Sequence, residues 1–111
     1  LKEKIINKKI MKLLIVTAVE QFHKEILKLF KKAEIESFSG SEIDGYKSAK
    51  SLLMTNSWFP SESGGAESSL FFAFTEDDKI DRLFVLIKEF NTHLETKNPV
   101  KAVVLPIEKY I

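Results

Sequence analysis

Two histidines, His23 and His93, and the acids Glu76, Asp77 and Asp78 are the side chains best suited by type to hold a metal or move protons. Their spacing argues against both. The histidines fall on different predicted helices, neither with a second histidine or a close acid at ligand spacing, whereas a metal site needs three or four converging donors. Both are expected to be surface helix residues. The three acids open a helix, where carboxylates complement the positive end of the dipole and cap free N–H groups. Glu62 and Glu67 lie in the aperiodic stretch "SWFPSESGGAESS" (57–69), with nothing beside them in sequence to raise a carboxyl pKa for acid–base work. GxSxG, P-loop, HExxH and dinucleotide-binding fingerprints do not occur, so no catalytic constellation emerges and enzymatic activity is not expected. The same stretch carries the only tryptophan, Trp58, followed by Phe59. These aromatics either fold back onto the chain's own sheet or a neighbouring subunit, or anchor a partner protein, since large aromatics carry much of the energy at interfaces.

The elements that would position these residues must fit into 111 residues, 44% hydrophobic and 30% charged, a balance suited to one globular domain. A formal net charge of +1 predicts no bulk attraction to nucleic acid. The absence of cysteine excludes disulfides, thiolate metal sites and cysteine nucleophiles, and suits the cytoplasm. The apolar run 13–19, "LLIVTAV", is too short to cross a bilayer, which takes about 20 apolar residues. No small-residue cleavage site follows it, so a signal peptide is not expected. Residues 1–10, lysine-rich, are read as an N-terminal extension without fixed structure, and 11–111 as a single domain.

Residues 11–19, "MKLLIVTAV", form a continuous β-branched apolar run and predict a buried strand. Phe22, Ile26, Leu29, Phe30 and Ala33 then recur on one helical face, with lysines opposite. A strand is predicted over 35–47, with a bulge or close approach at a glycine. Residues 47–67 predict a loop of a length that is usually functional. Residues 68–75 predict a strand, and 75–95 a helix with Ile80, Leu83, Phe84, Ile87 and Phe90 as its apolar stripe. "VKAVVLPIEKYI" (100–111) predicts a last strand. The order βαββαβ implies an α+β, ferredoxin-like sandwich: a four-stranded antiparallel sheet with both helices on one face. Phe22, Phe30, Phe71, Phe84 and Phe90 are the expected core aromatics. The helix-free face would favour self-association.

Four of these segments together resemble the PII family of nitrogen regulatory proteins and its PII-like relatives. "MKLLIVTAV" resembles the family's opening strand. "SGSEIDGYK" is similar to its second strand, with Ser41, Glu42, Ile43, Gly45 and Tyr46 in register. "EDDKIDRLFVLIKEF" resembles the second helix, and "KAVVLPIEKYI" the closing strand, with Lys101, Val104, Pro106, Glu108 and Lys109 in place. The resemblance implies a homotrimer whose 47–67 segment is a T-loop, docking onto a membrane transporter or an enzyme with Trp58, Phe59, Glu62 and Glu67. It implies ligand contacts between subunits at Ser39, Gly45, Lys101 and Lys109, the ligand being an adenine nucleotide or another small anion. Where the family has a glycine-rich phosphate loop this chain reads "TKNPVK", and the T-loop's tyrosine motif is absent, so the backbone grip on phosphate is not carried over. Two other readings stay open: metal handling, as in CutA-like relatives, with carboxylates and histidines from several subunits, and a small enzyme on a ferredoxin-like scaffold.

Overall fold

The computed structural model describes residues 10–45, 66–94 and 98–111. Trp58, Phe59 and Glu62, the N-terminal residues 1–9, and most of the 47–67 segment lie outside them. The strands are β1 (Met11–Val19), β2 (Ser39–Gly45), β3 (Ala66–Glu76) and β4 (Lys101–Pro106). Helix α1 (His23–Lys32) follows β1 after a single 3-10 turn at Glu20–Phe22, and α2 (Asp77–Thr92) follows β3. The sheet order is β2-β3-β1-β4 with every neighbouring pair antiparallel, as expected for a ferredoxin-like sandwich. Each helix returns the chain to a strand one place removed, which leaves β2 and β4 as the two edges.

Strand alternation decides the layers. Leu14, Val16 and Ala18 of β1 and Phe71 and Ala73 of β3 are buried under the helices. Ile26, Leu29 and Phe30 of α1 and Ile80, Leu83 and Ile87 of α2 close over them. Each large side chain so buried contributes roughly 1.5–3 kcal/mol from water exclusion. The aromatics order this core. Phe30 packs against Phe38 and Phe71 with ring centroids 4.6 and 5.6 Å apart, and Phe22 meets Phe90 edge-on at 5.6 Å across the helix pair. Of the five expected core aromatics, Phe30 and Phe71 are fully buried, while Phe22, Phe84 and Phe90 pack at the core's margin.

Boundaries shift where local chemistry outweighs strand propensity. Ile35 caps α1 and is not part of β2. The Glu34 N–H donates to the Lys31 carbonyl at 3.0 Å and the Ile35 N–H to the Phe30 carbonyl at 2.9 Å, with Glu34 at φ 61°. This is a Schellman stop, in which buried Ile35 packs back onto the helix. A non-glycine residue in the left-handed region is strained, and the Arg82–Glu34 ion pair, 3.5 Å and exposed, offsets little of it. Glu34→Gly is therefore expected to raise stability by about 0.5–1 kcal/mol in urea melts. No bulge interrupts the β2–β3 register, but the close approach is present: a Cβ on Gly40 would meet the Phe71 ring at 3.1 and 3.2 Å.

Three further expectations change. Strand β3 begins at Ala66, so Glu67 is a strand residue opposite Asp44 and not part of the loop. The last strand stops at Pro106, which has no N–H to donate at this edge, and 107–111 is not strand. The α2 N-cap is Glu76, without a side-chain cap bond, and of the three acids Asp78 alone is seen to accept from a first-turn N–H, that of Lys79 at 3.0 Å. Asp77 instead pairs with Lys12 at 2.8 Å. At its far end α2 is tied to β4 by Asn91, whose amide donates to and accepts from the Val100 backbone, both at 2.9 Å. That clamp sets the position of Lys101.

Candidate functional site

Ser39 and Gly45 occupy the two ends of edge strand β2, and Lys101 opens the opposite edge strand β4. In register terms Ser39 faces Phe72, and Lys101 faces Thr17, so both lie on the helix-free side of the sheet. With β3 and β1 between them, the two edges stand about 14 Å apart, three interstrand spacings. Lys109 lies past the end of β4, in a groove with Met11, Phe74, Ile107, Tyr110 and Ile111 at the other end of the sheet. One protomer does not bring these four residues together.

The helix-free face itself is strongly apolar. Leu13 sits between Phe74 and Leu105 in the ladder, and Ile15 between Phe72 and Val103. Met11, Phe72, Phe74 and Leu105 keep between 38% and 56% of their surface exposed. Phe72 and Phe74 meet edge-on, centroids 6.3 Å apart. A contiguous apolar face of this kind on a small domain marks an interaction surface.

Carboxylates gather where β2 and β3 leave the sheet. The register places Glu42 opposite Ser69 and Asp44 opposite Glu67, on the helix side. Glu20, just past β1, reaches the same corner. Its carboxyl is raised from 4.5 to about 7, first by a hydrogen bond to Glu67 and the charge of that residue, then by desolvation and by Glu42. Sequence reasoning misses this corner: it does not single out Glu20, it names Glu42 only as a strand residue, and it leaves Glu67 without company. The alternation of Glu42 and Asp44 within β2 is a readable signal; the pairing with Glu67 depends on register. His23 lies nearby, half-buried, its Nδ1 sharing a hydrogen bond with Ser69 Oγ at 2.9 Å and its ring tilted over Phe71 at 5.1 Å. It is thus a margin-of-core residue, where a surface position was expected; His93 is exposed at the end of α2. Among the described residues no group of three histidines or acids is placed to hold a metal ion.

Glu20 makes stability pH-dependent with a definite sign. The folded state holds this proton more tightly than the unfolded chain. Between pH 4.5 and about 7 it therefore binds more protons, and stability falls as pH rises through that window. Glu20→Gln removes the repulsion while keeping the shape. The variant's melting temperature should match the wild type below pH 4.5 and exceed it above pH 7. A gap that does not widen with pH would contradict this.

A four-stranded sheet of order β2-β3-β1-β4 with two helices on one face has counterparts among solved structures. A DUF3240 family protein from Shewanella baltica OS155 superposes with a TM-score of 0.63 at 18% identity, over 91% of this chain and 93% of its own. A nitrogen regulatory PII-like protein from Thiomonas intermedia K12, CPII, superposes with a TM-score of 0.59 at 12% identity, over 91% and 96%. Its structure holds ADP, AMP and bicarbonate. The chain has the PII-like fold. A PII-like signaling protein from Thermus thermophilus superposes equally well, TM-score 0.59 at 14% identity over 86% and 84%. No family model and no curated protein sequence matches the chain. In this PII-like fold the carboxylate corner stands at the base of the β2–β3 connection, and the apolar face lies on the sheet side away from both helices. Among the described residues no helix is long and apolar enough to cross a membrane.

Proposed function

We propose that the chain is a divergent PII-like regulatory protein. It assembles as a homotrimer, binds a small anionic ligand between subunits, and contacts a membrane transporter or an enzyme through the connection between β2 and β3. The observation that carries this reading is the separation of Ser39 and Gly45 from Lys101 onto opposite sheet edges beside an apolar face. Cyclic association on that face sets the β2 edge of one subunit near the β4 edge of the next, which completes the site. The ligand then biases the loop through a population shift, without bond chemistry, at the cytoplasmic side of the cell. Adenine nucleotides and bicarbonate are the first ligands to test, since a protein of this fold holds them.

Calorimetry with ATP, ADP, AMP and bicarbonate is the experiment. Binding of one ligand by the wild type, lost in Lys101→Gln, supports the inter-subunit site. Binding that survives Lys101→Gln would place the ligand elsewhere, and silence across the panel would remove adenylate and bicarbonate sensing. Deleting 56–65 should abolish capture of a partner without changing the oligomer; an unchanged partner set would sink the loop's role.

A further inference from the structure

The outer face of α1 is almost purely cationic. Lys24, Lys28, Lys31 and Lys32 are all exposed, and with Leu27, 37% exposed, they fill a roughly 140° arc opposite the buried stripe. No ion pair ties any of the four to a described residue; the described ion pairs are Lys12–Asp77 and Arg82–Glu34. Helix stability does not account for the pattern. Lys31 and Lys32 suit the C-terminal end of the dipole, but Lys24 stands in the first turn, where a cation is unfavourable. Lys24–Lys28 and Lys28–Lys32 are like-charge pairs four residues apart, which repel along the helix. The net charge of +1 thus conceals a segregation, with cations on α1 and carboxylates at the corner of Glu20, Glu42, Asp44 and Glu67.

The composition of this face selects among anionic partners. Protein hot spots favour Trp, Tyr and Arg in shaped pockets, and this face has none of the three. Nucleic-acid surfaces use arginine forks and stacking aromatics, and the chain has a single arginine, Arg82, on the other helix. Flexible lysine stems around one exposed leucine supply charge without shape, which suits a fluid, dense anionic surface. We infer that α1 docks the protein onto anionic lipid headgroups through Lys24, Lys28, Lys31 and Lys32, with Leu27 at their centre. The inference stands independently of trimer formation and of any ligand between subunits.

Co-sedimentation with phosphatidylcholine vesicles containing about 30% phosphatidylserine tests it. Binding should be absent on phosphatidylcholine alone, and should vanish when salt rises from about 0.05 M to about 0.5 M, as the screening length contracts to a few ångströms. Each lysine near an anionic surface is worth about fivefold in partitioning, so Lys24→Gln/Lys28→Gln/Lys31→Gln should bind about a hundredfold more weakly. Lys79→Gln/Arg82→Gln/Lys88→Gln changes the charge equally on α2 and should bind nearly as the wild type. Equal losses in both triple variants would reduce the effect to net charge and overturn the docking face. Failure of the wild type to bind at low salt, or binding indifferent to salt, would overturn it without any variant.

Discussion

Phe71→Ala is expected to lower stability by about 3–5 kcal/mol, among the largest losses of any single substitution in the described core. Phe71 is 1% exposed at the centre of β3 and touches Phe30, Phe38 and the His23 ring. Removing it opens a cavity among side chains held by α1 and the segment entering β2, so collapse is hindered. A small domain has only about 5–15 kcal/mol of stability in total, and each kcal/mol moves the midpoint by several degrees. Thermal melts at fixed protein concentration should therefore shift by about 15 °C or more. The same contact couples Phe71 to Gly40. In the wild type, Gly40→Ala presses a methyl against a ring that has no room to retreat, at a cost of about 1 kcal/mol. In the Phe71→Ala background that cost should disappear, since the methyl then fills part of the cavity. Additive effects in this double-mutant cycle would contradict the packing described.

Phe72→Asp/Phe74→Asp should convert the proposed trimer to monomers while leaving the fold intact. Both rings stand on the helix-free face and are already substantially exposed within one chain, so their loss removes little from the protomer. In an assembly each ring contributes roughly 1.5–3 kcal/mol when covered, and a carboxylate in its place is desolvated without a partner. Two such changes per subunit, repeated around a closed ring, should raise the dissociation constant by several powers of ten. Light scattering should report the mass of one chain, with circular dichroism unchanged. A variant that remains oligomeric would move the interface away from this face. One that unfolds would show that the sheet is unstable outside the assembly.

The sequence is most informative where periodicity is strong. Strand β1, both helices and the ferredoxin-like order follow from apolar patterning, and the helix-free face follows from that order. It is least informative where the outcome depends on distant partners. Ile35 is apolar and reads as strand, but a left-handed Glu34 turns it back onto α1. Glu67 reads as loop because of the serines and glycines before it, but pairing with β2 extends β3 to Ala66. The carboxylate corner needs the register of two strands and the phase of a third, which composition does not carry. The separation of Ser39 and Gly45 from Lys101 is likewise a property of strand order, not of spacing along the chain. His23 reads as a surface residue because nothing in the sequence places Ser69 beside it.

The proposed trimer would cover the apolar face and complete the proposed ligand site, so the mass of the particle in solution tests it most directly. Native mass spectrometry of the intact chain should give three times 12.7 kDa, about 38 kDa, falling to one chain in Phe72→Asp/Phe74→Asp. A wild-type particle of 12.7 kDa at micromolar concentration would contradict it.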